Sequence, residues 1–207
     1  DTWHVKQVLQ NFYQDQCKLW RDPLGGISLS VTTLFWGVGA SLQLIVLAWA
    51  QAQLALDLSQ AAYLQAATAV GVIVGAALAA KMVALDQAMK VLPVGVLLGL
   101  LLPLMWWTSD WQAAVFLTAL VGVVGGFFVV PMNAVLQHRG VSLLSAGRSI
   151  AVQNVNENSS ILLMMAAYSA FLYFHAQVHV LVGALAAFIT LTMGAVVWRH
   201  SRQKCLA

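Results

Sequence analysis

The feature that most constrains the fold is a series of apolar runs long enough to cross a lipid bilayer. A spanning helix needs about 20 apolar residues, and runs near this length occupy residues 26–50, 61–83, 91–108, 112–137, 149–174 and 178–198. The runs are continuous, whereas the strands of a membrane barrel alternate apolar and polar residues. Only 8% of the residues are charged, against about a quarter in a soluble domain. The sequence therefore predicts an all-α polytopic membrane protein with six transmembrane helices.

The distribution of Lys and Arg predicts the orientation of these helices. All 10 basic residues fall in alternate connectors, counted from the N-terminal segment to the tail: Lys6, Lys18 and Arg21; Lys81 and Lys90; Arg139 and Arg148; Arg199, Arg202 and Lys204. Connectors rich in Lys and Arg stay in the cytoplasm. We therefore expect both termini to be cytoplasmic and the connectors at Asp57, Asp110 and His175 to be external.

We expect three regions, which are a cytoplasmic segment (1–25), the six-helix transmembrane domain (26–198) and a cytoplasmic tail (199–207). In the first region one helical stripe carries Val5, Val8, Leu9, Phe12, Leu19 and Trp20. This segment is either an interfacial helix on the cytoplasmic face or an ordinary linker. A helix here should end at Asp22-Pro23, because Pro disfavours helical geometry in the preceding residue.

Small residues recur at a spacing that favours close helix packing. Three spans contain a Gly-x-x-x-Gly pair: Gly71 with Gly75, Gly95 with Gly99, and Gly122 with Gly126. Small faces let helix backbones approach closely inside a membrane. The pairs predict a compact bundle and do not indicate a function.

The sequence offers little basis for an enzyme. It contains no Gly-x-Ser-x-Gly, no His-Glu-x-x-His and no Asp pair within a span. His175 and His179 are four residues apart but lie in a short connector with no acid or Cys beside them, which favours a solvated loop over a metal site. Cys17 and Cys205 are isolated. We predict no catalytic residue, metal or cofactor, and the net charge of +3 does not require nucleic acid as a partner.

Polar residues inside the predicted spans mark the candidate site. Glu157 is the acid placed clearly within a span, and Gln153 and Asn154 are its neighbours on a helix. An ionised Glu facing lipid would cost several kcal/mol, so this stripe must face protein or water. We favour a substrate or ion pathway over the alternative, a polar lock between helices. The candidate substrate-binding set is Gln43, Asn133, Gln137, Gln153, Asn154, Glu157 and Asn158.

The remaining spans suggest how the helices are arranged. The third and sixth spans have almost no polar side chains and are expected to face lipid, whereas the first, fourth and fifth are expected to face a cavity. This division fits two inverted repeats of three helices, each with its third helix outside.

Several segments resemble one family of bacterial membrane proteins. FFVVPMNAVLQHRG (127–140) and SAGRSIAVQNVNEN (145–158) resemble the lysophospholipid transporter family of the major facilitator superfamily, as do RDPLGG (21–26), LFWGVGASLQLIVLAW (34–49) and GVIVGAALAAKMV (71–83). The resemblance runs over nearly the whole chain. It implies the C-terminal half of a twelve-helix major facilitator fold, with residues 1–23 as the tail of the central cytoplasmic loop and an N-terminal six-helix half missing.

The resemblance also implies a function. Members move lysophospholipids, notably lysophosphatidylethanolamine, across the bacterial inner membrane for re-acylation by an acyltransferase/acyl-carrier-protein synthetase. The polar stripe would serve the head group, and flexible residues 162–165 would accommodate the acyl chain. Members carry Arg where this chain has Gln43, so another cation must bind the phosphate or the head group must bind more weakly. Two alternatives stay open, a proton- or sodium-coupled exporter of amphipathic molecules and a structural or regulatory six-helix protein.

Overall fold

The computed structural model describes residues 2–205, with side chains for residues 5–202, and in this part the regular secondary structure is all helical. Asp1, Leu206, Ala207 and the side chain of Lys204, which belong to the predicted end regions, lie outside the described residues. The described α-helices are α1 (Thr2–Arg21), α2 (Pro23–Leu54), α3 (Leu58–Met82), α4 (Leu92–Leu101), α5 (Trp111–Leu143), α6 (Ala146–Tyr173) and α7 (Val178–Cys205).

The first helix boundary lies where the sequence predicts it. α1 ends at Arg21 and α2 begins at Pro23, where the missing N–H of proline is not needed for helical hydrogen bonding. The Asp22 carboxylate caps α2 by accepting a hydrogen bond from the Gly25 N–H at 2.7 Å. The helical stripe predicted in the first region is therefore confirmed as a helix, while its place at the membrane surface stays a prediction.

The third predicted span, residues 91–108, is interrupted. It consists of the 10-residue helix α4 between two 3-10 segments, Leu85–Val91 and Leu102–Trp106. Pro103 lacks an N–H and so cannot continue the α-helical hydrogen bonds beyond α4. The indole of the fully buried Trp49 donates a hydrogen bond at 2.9 Å to the Met105 carbonyl and attaches the end of this span to α2.

Among the described residues, five segments are long and apolar enough to cross a membrane: Pro23–Leu54, Leu58–Met82, Leu85–Trp106, Trp111–Leu143 and Val178–Arg202. They confirm the all-α class and indicate a polytopic membrane protein. The predicted fifth span, residues 149–174, forms most of the 28-residue helix α6, which does not meet the same standard because its first half carries several amides and Glu157. The count of six spans therefore stays a prediction.

Each of the helices α2–α7 packs most extensively on a helix that is not its neighbour in sequence. α3 packs on α5, α2 on α6, and α4 on α7, while α2 also crosses α5. Side chains from several helices, among them Trp49, Phe128 and Met132, form one buried core. This arrangement brings α2, α3, α5 and part of α6 around a common space.

The predicted glycine pairs bring α3 and α5 into direct backbone contact. A Cβ atom added to Gly75 would lie 2.0 Å from the Val123 carbonyl oxygen, and one added to Gly122 would lie 2.1 Å from the Thr68 carbonyl oxygen. Only glycine fits at such distances. The close packing predicted from these pairs is confirmed. In the remaining pair, Gly99 packs on α7, where an added Cβ would lie 2.4 Å from Thr190 Oγ1 and 2.9 Å from the Thr190 backbone nitrogen.

Candidate functional site

A cavity of about 570 Å³ lies between α2, α3 and α5, with one residue each from α4 and α6. Most of its wall is apolar and includes Phe35, Trp36, Leu42, Ile73 and Val121. Its polar side chains are Gln43, Gln65 and Thr68. The cavity therefore has the character of a site for an apolar molecule that carries a small polar group.

The polar part of this cavity is built from two amides on facing helices. Gln65 of α3 donates a hydrogen bond at 2.6 Å from Nε2 to the backbone carbonyl of Gln43 on α2. The Gln43 side chain is exposed, so its amide remains accessible from the cavity. Gln65 is absent from the residues selected by sequence, although an amide three residues before Thr68 in an apolar span was a usable signal.

α6 reaches the cavity through Ile161, which lies one helical turn after Glu157. Glu157 is half-buried, while Asn154 and Asn158 are exposed on the neighbouring surface of the helix. The Asn158 amide donates a hydrogen bond to the Asn154 backbone carbonyl at 2.7 Å. α6 is held close to α2 at this level, because a Cβ added to Gly37 would lie 2.2 Å from Ser160 Oγ. These three polar residues form the accessible side of the predicted stripe.

Two other amides of α6 point into helix contacts. Gln153 is buried and donates a hydrogen bond at 3.3 Å to Ser149 Oγ, which packs against Gly140 of α5. Asn156 donates to Gln16 Oε1 at 2.7 Å and accepts from the Trp20 indole at 3.3 Å. α6 therefore carries both an accessible polar side and a side that joins it to α5 and α1.

The remaining predicted site residues lie farther along α5. Asn133 is half-buried and Gln137 is exposed, both on the C-terminal side of Pro131. Within the described chain, neither side chain forms a hydrogen bond to the polar residues of α6. Of the seven predicted residues, Gln43 lines the cavity, whereas the other six lie on α5 and α6 outside its lining.

Two ion pairs tie the N-terminal segment to the ends of α5 and α6. Arg139 donates two hydrogen bonds from its guanidinium to the Asp22 carboxylate, from Nε to Oδ2 at 2.9 Å and from Nη2 to Oδ1. Arg148 binds Asp15 in the same way, with Nε to Oδ2 at 2.6 Å. The hydrogen bonds from Arg139 hold the pKa of Asp22 below its usual value. In the sequence both arginines mark the topology, but nothing in the pattern indicates their acidic partners.

The fold and the cavity define a class, a polytopic membrane protein whose helices enclose a mainly apolar space with a few amides. Over 169 residues, 81% of the chain, it is 40% identical to proteins named lysophospholipid transporter LplT from Citrobacter koseri and Shigella flexneri. It is also 40% identical over 168 residues to a protein of the same name from Pectobacterium carotovorum. The family resemblance in the sequence is thus confirmed.

The matched relatives are much longer than the matched segment. The chain spans 42% of the Citrobacter protein, 43% of the Shigella protein and 41% of the Pectobacterium protein. No family model matches the chain, and no solved structure matches it either. The relatives are named as transporters and not as enzymes.

Proposed function

We propose that this chain takes part in moving lysophospholipids across the bacterial inner membrane. The observation that carries the proposal is the 40% identity, over 81% of the chain, to proteins named for lysophospholipid transport. The cavity between α2, α3 and α5 supports it, because a one-tailed lipid needs an apolar wall for its acyl chain and polar groups for the rest. Its walls offer both, with Gln43 and Gln65 as the polar groups.

The accessible side of α6 supports a polar pathway beside this cavity. Asn154, Glu157 and Asn158 would be costly to expose to hydrocarbon, so we propose that they border water or further protein. The relatives are more than twice as long as the matched segment. We propose that an N-terminal six-helix half completes the pathway, as in transporters whose site lies between two repeats near the middle of the membrane.

The packing order supports the arrangement of a major facilitator half. Two three-helix repeats would relate α2 to α5, α3 to α6 and α4 to α7. Under this relation the contact of α3 with α5 corresponds to the contact of α6 with α2, and the contact of α4 with α7 corresponds to itself. We therefore propose six spans arranged as two inverted three-helix repeats. In this arrangement both termini are cytoplasmic, as the Lys and Arg pattern predicts.

We assign roles to the seven site residues on this basis. Gln43 contacts the polar part of the lipid inside the cavity, and Glu157 attracts the ammonium of an ethanolamine head, with Asn154 and Asn158 beside it. Asn133 and Gln137 line the cytoplasmic end of the path. Gln153 supports α6 from its contact with α5. The delivered lysolipid would be re-acylated by an acyltransferase/acyl-carrier-protein synthetase.

The test replaces Glu157 with Gln in the complete transporter. This variant keeps the size and most hydrogen bonding of the side chain but removes its charge. Uptake of lysophosphatidylethanolamine into membrane vesicles should fall about tenfold, the effect of losing ~1.4 kcal/mol of interaction. Uptake of a glycerol-headed lysolipid, which has no ammonium, should fall much less. The double variant Glu157→Gln with Asn158→Asp moves the acid by one residue and serves as the matched control for its position.

Other outcomes would redirect the proposal. An equal loss for both lipids, with expression intact, would assign Glu157 to conformational switching or ion coupling. No loss for either lipid would leave it as a polar lock between helices. Uptake that amphipathic drugs inhibit and lysolipids do not would instead favour an exporter of amphipathic molecules.

A further inference from the structure

The apolar stripe of α1 is covered along only half of its length. Near the C-terminal end, Leu19 is completely buried and Phe12 is half-buried against the ends of α5 and α6. Toward the N-terminus the same stripe continues through Val5, Val8 and Leu9, which are 59%, 65% and 61% exposed. Tyr13 borders it and is also exposed. The exposed residues thus continue, toward the N-terminus, the same apolar stripe that packs against α5 and α6.

α1 is held in a fixed position by its C-terminal half. Asp15 and Asp22 bind Arg148 and Arg139 through paired hydrogen bonds, and Gln16 and Trp20 both bond to Asn156 of α6. Residues 5–13 precede all of these contacts and extend for about 12 Å at the rise of an α-helix. The exposed stripe therefore has a defined direction relative to the bundle.

These attachments favour a position of α1 at the level of the lipid head groups. α5 has 33 residues, which makes it about 50 Å long, whereas the hydrocarbon core is about 30 Å thick. We therefore expect its last turns, which carry Arg139, to reach beyond the hydrocarbon. Trp198 near the end of α7 is 59% exposed and has the Arg202 guanidinium 4.0 Å from its ring centre. Exposed Trp beside Arg is typical of the membrane interface.

We propose that the exposed stripe of α1, formed by Val5, Val8, Leu9 and Tyr13, docks into the anionic lipid surface on the side of the membrane where Arg139 and Arg148 lie. The charges of the helix fit this partner. The charge of Asp15 is neutralised by its ion pair with Arg148, while Lys6, Lys18 and Arg21 are exposed. α1 therefore carries net positive charge around its apolar stripe. Apolar contact and attraction to anionic lipids are the two contributions that hold interfacial helices.

This docking connects the membrane surface to the helix that carries Glu157. α1 bonds to Asn156, and the neighbouring residue Glu157 lies on the accessible side of α6. A change in the surface charge of the leaflet would thus act on α1 and, through its bonds, on α6. The inference rests on the geometry of α1 alone and does not depend on the transported substrate.

The experiment measures the surroundings of α1 in the full chain placed in lipid nanodiscs. Cys17 and Cys205 are replaced with Ser, and a spin label is attached to Leu9→Cys in the stripe or, as a control, to Gln7→Cys on the opposite side. The label at position 9 should meet oxygen dissolved in lipid more often, and a water-soluble nickel chelate several-fold less often, than the label at position 7. The difference should be larger with phosphatidylglycerol than with neutral lipid alone.

Three results would overturn the proposal. Equal exposure of both positions to the nickel chelate would mean that the stripe lies in water. Protection of position 9 from both oxygen and nickel would mean that protein covers it. A difference that is the same in neutral and anionic lipid, and is unchanged by Lys6→Gln, would rule out an anionic surface as the partner.

Discussion

At the scale of single residues, Asp22 carries two structural tasks at one turn of the chain. Its Oδ2 accepts the Gly25 N–H that begins α2, and both of its oxygens accept hydrogen bonds from Arg139 of α5. The side chain is 8% exposed, so little water competes for these bonds. One carboxylate thus caps a helix and joins the N-terminal segment to the bundle.

We predict that Asp22→Asn lowers the thermal stability of the purified protein by several degrees at neutral pH. The amide keeps a cap oxygen for α2 but loses its charge and one of the two bonds to Arg139, and bonds to charged groups are the stronger kind. Asp110→Asn is the matched control, because Asp110 caps α5 through the Ala113 N–H and, among the described side chains, has no arginine partner. A similar loss in both variants would mean that the contact with Arg139 contributes nothing.

The same pair gives a prediction about pH. Arg139 lowers the pKa of Asp22 in the folded protein. The stabilisation of the fold by this ion pair is therefore fully present above the pKa of Asp in the unfolded chain, about 3.9. It is lost as the pH falls through the folded pKa, when the carboxylate becomes protonated. The difference in melting temperature between the wild type and Asp22→Asn should therefore be constant near pH 7 and shrink below pH ~4. A difference that grows on acidification would contradict the assignment.

The residue types of the candidate site could be predicted from sequence, but their directions could not. Glu157, Asn154 and Asn158 stand out in an apolar chain, and periodicity places them on one helix. Periodicity does not reveal that the Gln153 side chain points toward α5. This direction arises because Ser149, to which Gln153 donates a hydrogen bond, packs against Gly140 of α5. Gln65 was missed for a similar reason, since its importance follows from the approach of α3 to Gln43.

At the scale of helices, the close contact of α3 with α5 depends on four glycines. The nearest approach is at Gly75, where an added Cβ would lie 2.0 Å from the Val123 carbonyl oxygen and 2.8 Å from the Phe127 nitrogen. Both are backbone atoms and cannot rotate away as a side chain can. Any side chain at this position must therefore move one helix away from the other.

We predict that Gly75→Ala destabilises the protein by about 2–3 kcal/mol, the cost of inserting a carbon into a closely packed contact. Gly194→Ala in α7 is the control, because no atom lies within 4 Å of its added Cβ. There, alanine should be neutral or should stabilise the helix by up to about 1 kcal/mol. Denaturation in detergent measures the free energy of unfolding of both variants. Equal values for Gly75→Ala and Gly194→Ala would show that α3 and α5 can move apart without a cost in stability.

The helices themselves were largely predictable, and their exceptions have physical causes. Apolar runs located the helices, and Asp22-Pro23 located the first boundary, because these signals act locally. The glycine pairs predicted close packing without naming the partner, which depends on the whole bundle. The interruption of the third span at Leu102 follows from Pro103, whose effect was not anticipated because prolines also occur within continuous helices, as Pro131 does in α5.

At the scale of the whole molecule, the orientation in the membrane is directly testable. In a chain with Cys17 and Cys205 replaced by Ser, single cysteines at Asp57 or Asp110 should react with an impermeant thiol reagent added outside the cell. Cysteines at Asp86 or Arg202 should react only after the membrane is opened. All four positions are exposed in the fold, so differences in labelling report the side of the membrane. The reverse pattern would invert the predicted topology.

The same experiment tests whether α6 crosses the membrane. If α6 does not cross the membrane, α5 and α7 cannot both run from outside to inside, and a cysteine at Gln177 would be protected from the external reagent while one at Asp110 reacts. Labelling at both Asp110 and Gln177 would support six crossings. The polar first half of α6 would then lie within the membrane despite its low hydropathy.

The pairing of each long helix with a distant partner has a consequence for biosynthesis. During synthesis α3 leaves the ribosome well before α5, and α2 well before α6. The glycine face of α3 therefore has no partner helix while α4 enters the bilayer. Helices that are neighbours in sequence therefore do not pair as they are released, and most contacts between helices form only once α5 and the helices after it are present. Nascent chains stopped before Trp111 should remain sensitive to protease and dependent on the insertion machinery, whereas resistance should begin when α5 is released and should be complete after α7.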